Sequence, residues 1–144
     1  NWWTEDDRTA FESLAARLVA QFDALSPAAA PGHTVNGKLT LGENIGDLGG
    51  LTIGHSAYRI SLGGEPAPVI DGFTGEQRFF MGWAQVWRGV SRREEAERLL
   101  VVDPHSPMDL RANAARNLEE FHEAFGVAEG DGMWVAPQDR VRIF

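Results

Sequence analysis

The sequence predicts a mostly α-helical fold of the α+β class, with one small β-hairpin. Apolar residues recur at three- and four-residue spacing in several long segments, which is the periodicity of an amphipathic helix. Residues that cap helices stand just before two of these segments, at Thr4 and Thr74. The strongest hairpin signal is Asn36-Gly37, a dipeptide typical of tight turns between two strands.

The first predicted helix runs from Thr4 to about Leu25, with acidic residues 5–7 at its positive end. Its apolar face consists of Ala10, Phe11, Leu14, Leu18, Phe22 and Leu25. A loop over residues 26–32, rich in proline and alanine, ends it.

The predicted hairpin pairs residues 33–35 with 38–40, and a second helix follows from Leu41 to about Ile60. That helix contains five glycines, at positions 42, 46, 49, 50 and 54. Each glycine destabilises a helix interior by about 1 kcal/mol relative to alanine. Their number therefore favours a helix that neighbouring elements approach closely.

Three more helices complete the prediction. A capping box begins a helix over residues 74–87, and residues 92–100 form a short charged helix. Ser106 is expected to cap a last helix over residues 107–125, which has proline at its first position. A short extended piece is predicted at residues 133–135.

The composition limits the classes of function. The chain has 144 residues, with 13 Lys and Arg against 21 Asp and Glu, a net charge of −8 and no cysteine. Nucleic-acid binding depends largely on clustered basic residues, so we expect no nucleic-acid partner. The lack of cysteine excludes disulfides and Cys-ligated zinc. No apolar run is long enough to predict a membrane span.

Two carboxylates, Glu43 and Asp47, lie four residues apart in the second predicted helix and share one face. They repel each other unless a cation or a hydrogen-bond donor compensates. A metal with a histidine ligand would compensate them, with Glu43 on the metal and Asp47 accepting from the second nitrogen of the histidine. The ordinary alternative is two solvated acids near a helix start.

A second group of polar residues comprises Asp103, His105 and Arg111. Asp103 can orient the imidazole, and two prolines stiffen the segment that carries it. An imidazolium and a guanidinium together suit the stabilisation of a developing oxyanion. The ordinary alternative is a helix-capping turn with incidental charges. The aromatic residues of segment 79–87 are typical of a core, and no His-x-x-x-His pair occurs in the chain.

The order of these segments resembles the C-terminal end of the neprilysin family of zinc metallopeptidases. The matching segments are Trp2-Trp3-Thr4, residues 36–50, Phe79-Phe80 with residues 83–87, and residues 103–107 with Arg111. The resemblance implies a thermolysin-like zincin catalytic domain, mostly helical with a small sheet. Residues 1–144 would then be a single partial domain, the C-terminal portion of the peptidase catalytic domain.

The resemblance implies catalytic roles for four residues. Glu43 would be the third zinc ligand, and Asp47 would orient a zinc-binding histidine. His105 would stabilise the tetrahedral transition state, with Asp103 supporting it. The implied reaction is zinc-assisted attack of water on a peptide bond.

Substrate-binding roles follow from the same resemblance. Arg111 would bind a backbone carbonyl of the peptide and pair with Asp47. Val86 and Trp87 would line the pocket for the side chain just after the cleaved bond. The implied substrate is a short peptide.

The His-Glu-x-x-His segment, which supplies two zinc ligands and the general base in this family, is absent from the sequence. We therefore expect a C-terminal fragment that is inactive and binds no zinc alone, with the upstream part of the same polypeptide as its partner. Self-association of the fragment is a further expectation. The alternative is a non-catalytic peptide-binding or interaction module.

The lack of cysteine also indicates the kind of organism and the compartment from which the protein comes. Vertebrate members of the resembled family place cysteines at positions matching Arg17, Arg88, Val127 and Val141. Their replacement favours a bacterial enzyme of the cytoplasm, with secretion or the periplasm as the alternative.

Overall fold

The computed structural model describes residues 2–143, and the fold there is mostly helical, as predicted. Six α-helices and two short 3₁₀ helices occur in this part of the chain. The α-helices are α1 (Glu5–Asp23), α2 (Leu41–Ser61), α3 (Gly75–Val86), α4 (Arg93–Val102), α5 (Met108–Arg111) and α6 (Glu119–Phe125). The 3₁₀ helices are Ala112–Asn117 and Pro137–Asp139.

The predicted N-cap at Thr4 and the predicted capping box at Thr74 are confirmed, and Thr4 also forms a capping box. The Thr4 hydroxyl accepts from the Asp7 N–H at 3.1 Å, and the Asp7 carboxylate accepts from the Thr4 N–H at 3.3 Å. At α3, Gln77 N–H donates to the Thr74 hydroxyl at 3.2 Å, and the Gln77 amide oxygen accepts from Thr74 N–H at 3.0 Å. Such reciprocal bonds satisfy N–H groups that a helix start leaves unpaired.

The predicted β-hairpin is wrong, since no β-strand occurs within residues 2–143. The Asn36 side chain accepts from Leu39 N–H at 3.0 Å, and its carbonyl accepts from Thr40 N–H at 3.0 Å. These local bonds wind residues 36–40 into a turn that leads directly into α2. The side chain of asparagine thus satisfies backbone groups that a hairpin would have paired across strands.

The last predicted helix is discontinuous. Its turns are divided among α5, the 3₁₀ helix Ala112–Asn117 and α6, and Leu118 between them has an extended backbone. The buried Asn117 exchanges two side-chain hydrogen bonds of 2.9 Å with Gln21 of α1 at this break. Its Oδ1 also accepts from Val141 N–H at 2.8 Å. The extended piece predicted at residues 133–135 contains no strand.

The core brings together buried side chains of α1, α2, α3, α5 and the 3₁₀ helix Ala112–Asn117. Its buried members are Leu18, Phe22, Val35, Leu48, Leu51, Phe80, Leu110, Ala115, Leu118 and Val141. The sequence predicts that neighbouring elements pack closely against the glycines of α2. This prediction is wrong for Gly42, Gly46 and Gly50, because a Cβ added at each would meet nothing within 4 Å. None of the helices that the structure describes is both long and apolar enough to cross a membrane.

Candidate functional site

Glu43 and Asp47 lie one turn apart on α2, as their spacing predicts. Asp47 is buried, whereas Glu43 is 45% exposed at the rim of the site. Burial of a carboxylate is unfavourable unless hydrogen bonds or an opposite charge compensate it. The two acids therefore occupy different environments, and Glu43 is the more accessible of the two.

Arg111, the last residue of α5, compensates the charge of Asp47. Its Nε donates to Oδ2 at 2.7 Å and its Nη2 to Oδ1 at 2.6 Å, so the expected pairing is confirmed in a bidentate form. The side chains are 14% and 8% exposed. The guanidinium also lies over the Trp87 ring, with Cζ 3.7 Å from the ring centroid. Cation–π contact adds to the pairing and fixes the plane of the arginine.

His105 lies in the loop between α4 and α5. Asp103 Oδ1 accepts from the His105 backbone N–H at 2.9 Å and lies 2.7 Å from the ring Nδ1. The other ring nitrogen, Nε2, is 3.2 Å from Glu43 Oε2. The protonated imidazolium can donate to both carboxylates at once, since both of its nitrogens then carry hydrogen.

Hydrogen bonds from His105 also lower the pKa of Asp103. The backbone N–H of His105, and then its side chain, hold the pKa of the Asp103 carboxyl below its usual value of 3.8. Both bonds favour the ionised carboxylate, because it can only accept. An ionised Asp103 in turn orients the imidazole toward Glu43.

A cleft of about 620 Å³ opens beside these residues. Its polar wall includes Asp103, His105 and Arg111, with Trp87 next to them. The remaining lining is largely apolar and includes Val90, Leu99 and Met108. A mostly apolar cleft with a few convergent polar groups is the usual form of a ligand site.

Two of the predicted substrate-binding positions differ in their placement. Trp87 lines the cleft, whereas Val86, the last residue of α3, is exposed and lies outside the lining. Successive residues of a helix point about 100° apart, so two neighbours rarely face the same cleft. The role of Val86 stays a prediction.

The described residues could supply part of a zinc site. Within residues 2–143, no group of three or more His, Cys, Asp or Glu side chains is arranged to hold a metal ion. Glu43 offers one accessible carboxylate, and zinc accepts such a ligand alongside histidines. A single carboxylate is one of the several ligands that zinc takes, so the described residues could not hold the ion by themselves.

Residues 1–141 match the sequence model of peptidase family M13. This chain belongs to peptidase family M13, the neprilysin family. The M13 chain is similar to neutral endopeptidase of Lactococcus lactis subsp. lactis, with 38% identity over 144 residues that cover 99% of this chain and 21% of that protein. It is also similar to endothelin-converting enzyme 1 of Homo sapiens, with 38% identity over 136 residues, 92% of this chain and 17% of that protein.

A solved structure agrees with this membership. The Mycobacterium tuberculosis zinc metalloprotease Zmp1, in complex with an inhibitor, is 53% identical and superposes with a TM-score of 0.95. The match covers 99% of this M13 chain and 22% of that one. The chain therefore spans about a fifth of the length of the relatives it matches.

The contact between Ser106 and Asn44 differs from the sequence prediction, which made Ser106 a helix cap and gave Asn44 no role. Ser106 does not cap a helix, because α5 begins at Met108 and has no side-chain cap. Its hydroxyl instead donates to Asn44 Oδ1 at 2.7 Å, in a buried contact. No local pattern indicates this bond, since 62 residues separate the partners. The one feature of the sequence that could have drawn attention to Asn44 is its position between two acids, Glu43 and Asp47, in the first turns of a helix.

Proposed function

We propose that this M13 chain forms the C-terminal part of the catalytic site of a zinc-dependent endopeptidase that hydrolyses short peptides. The observation that carries the proposal is the contact of His105 with both Asp103 and Glu43, beside the cleft that Arg111 also lines. A carboxylate suited to a metal, an imidazole and a guanidinium thus stand side by side. The family and the zinc metalloprotease among its structural neighbours support this assignment.

Glu43 is proposed as a zinc ligand, and Asp47 as the acid that orients a zinc-binding histidine from upstream. Both oxygens of Asp47 are bound by Arg111, yet each oxygen has a second lone pair to offer. Arg111 therefore holds the carboxylate in place without preventing a further hydrogen bond. When bound, zinc supplies a Lewis acid that polarises the peptide carbonyl and activates water.

His105 is proposed to donate a hydrogen bond to the oxyanion that develops on the scissile carbonyl. Asp103 keeps the ring in the orientation that presents Nε2, because its carboxylate accepts a hydrogen bond from Nδ1–H. Arg111 uses Nε and Nη2 on Asp47, which leaves Nη1 to donate to a backbone carbonyl of the peptide. Trp87 and Val86 are proposed to contact the side chain after the cleaved bond.

The 144-residue chain alone is proposed to be inactive. One carboxylate is a poor zinc site, and the family's histidine pair and general base are not in this sequence. Exposed apolar side chains such as Ile53, Ile60 and Val101 support the proposal that the rest of a longer polypeptide packs here. The isolated chain is then expected to self-associate, which sedimentation velocity would measure as oligomers.

The test uses the longer polypeptide that carries this chain, with its zinc content and peptidase activity measured for the wild type, Glu43→Gln and Glu97→Gln. Glu97 is a matched glutamate on α4, paired with Arg93, and it does not line the cleft. Glu43→Gln should lose most of the zinc and the activity, while Glu97→Gln should keep both. Wild-type zinc content in Glu43→Gln would refute the ligand role. A zinc-free, inactive wild type would favour the non-catalytic peptide-binding module.

A further inference from the structure

We infer that the hydrogen bond between Ser106 and Asn44 positions His105 against Glu43, so that both partners are positioning residues for the reaction. Ser106 Oγ donates to Asn44 Oδ1 at 2.7 Å. Asn44 is 1% exposed and Ser106 is 3% exposed, so water does not compete for this bond. The inference rests on the proposed function, because it concerns how two residues of that site are held.

Each partner in this bond follows a proposed active-site residue in the chain. Asn44 comes directly after Glu43 on α2, and Ser106 comes directly after His105 in the loop before α5. The peptide unit is planar and stiff, so fixing one residue limits where its neighbour can lie. The bond therefore ties the loop that carries His105 to the helical turn that carries Glu43.

A second hydrogen bond fixes the orientation of the Asn44 amide. Its Nδ2 donates to Thr40 Oγ1 at 2.9 Å, and the Thr40 hydroxyl donates to the Asn36 carbonyl at 3.2 Å. Each hydroxyl has only one proton to donate, so the chain of bonds runs in one direction, from Ser106 to Asn36. Asn44 Oδ1 is thereby kept facing Ser106, and a fully paired buried network favours one arrangement.

The direct contact between His105 and Glu43 holds these two side chains in place less firmly than the buried bond does. His105 Nε2 and Glu43 Oε2 are 3.2 Å apart, but both side chains are nearly half exposed, and exposed ion pairs contribute little. In the proposed function, moreover, Glu43 gives its carboxylate to zinc. The buried bond persists in that state, since it uses no atom of Glu43 or His105.

The experiment compares Ser106→Ala with Ser106→Thr in the longer polypeptide, using a fluorogenic peptide, zinc analysis and thermal unfolding. Alanine leaves Asn44 Oδ1 buried without its donor and frees the loop. We expect kcat to fall about 10- to 100-fold, as for a small misplacement of a catalytic group, with KM within about twofold. Zinc content should stay at the wild-type level, and threonine should restore most of kcat because it keeps the hydroxyl.

The matched control is Ser61→Ala, which removes a hydroxyl bonded to the Tyr58 carbonyl at the end of α2 and should leave kcat unchanged. A folded Ser106→Ala with wild-type kcat would overturn the inference, and so would an equal loss of kcat in Ser106→Thr. If Ser106→Ala does not fold, Thr40→Ala is measured instead, because it releases the Asn44 amide. Its kcat should fall about 2- to 10-fold, the scale of one hydrogen bond, and an unchanged kcat would again overturn the inference.

The result is separable from the proposed function. A wild-type polypeptide without zinc and without peptidase activity refutes both. An active, zinc-loaded wild type whose Ser106→Ala variant keeps its kcat refutes the positioning inference alone.

Discussion

Arg111 binds both carboxylate oxygens of Asp47, from α5 to α2, with donor–acceptor distances of 2.6 and 2.7 Å. The pair is largely buried, and the Trp87 ring covers one face of the guanidinium. This buried pair joins two helices through residues that are 64 positions apart in sequence. Removing one partner leaves an uncompensated charge in the interior, which costs much more than losing an exposed pair.

Arg111→Ala should therefore lower the free energy of unfolding by about 3–5 kcal/mol, the range for breaking a buried ion pair. The control is Arg93→Ala, which breaks the exposed pair with Glu97 on α4 and should cost about 0.5 kcal/mol or less. Urea unfolding followed by circular dichroism measures both values. Equal losses in the two variants would show that burial of the Arg111 pair has no energetic consequence.

His105→Ala should lower kcat of the longer polypeptide by about 10²–10³-fold, the scale for losing one donor to an oxyanion. Zinc content should be retained, because the proposed ligand is Glu43. His33→Ala serves as the matched control, since His33 is exposed and outside the cleft. Steady-state kinetics with parallel metal analysis decide the matter, and equal turnover in His105→Ala and wild type would exclude the role.

Asp103→Asn should change the pH dependence of stability. The pKa of Asp103 is held below 3.8 in the folded state, so its ionised form stabilises the fold at pH values above 3.8. That contribution is lost as the pH falls through the lowered folded pKa. The wild type should exceed Asp103→Asn in Tm near neutral pH, and the difference should shrink below pH 3.8. Differential scanning calorimetry across this range would contradict the assignment if the difference stayed constant.

Two glycine-to-alanine substitutions should act in opposite directions. A Cβ on Gly37 would clash with the backbone carbonyl of Val19, and Gly37 N–H is bonded to Asp23 at 2.7 Å, so Gly37→Ala should destabilise the chain. Gly46 lies inside α2 with open space around its Cβ position, so Gly46→Ala should stabilise it by about 0.5–1 kcal/mol. Urea unfolding of both variants tests this, and a destabilised Gly46→Ala would mean that another element packs there.

Local features of the fold could be predicted because their causes lie within a few residues. The capping boxes at Thr4 and Thr74 define the starts of α1 and α3 from residues three positions apart. The contact of Asp103 with His105 is equally local. The turn at Asn36 was not predicted, because the Asn36 side chain bonds the following backbone and competes with the pairing between strands that the Asn-Gly dipeptide indicates.

The sequence by itself determined the helical periodicity, the capped helix starts, the shared face of Glu43 and Asp47, and the segments that carry the neprilysin resemblance. The tertiary structure decided which distant groups meet: Arg111 stacks on Trp87, and Ser106 reaches Asn44 instead of capping a helix. The physical reason is the separation in sequence between the groups that interact. A cap or an amphipathic face depends on neighbours three or four residues away, whereas a buried polar group takes whichever partner the packed helices bring within hydrogen-bond distance.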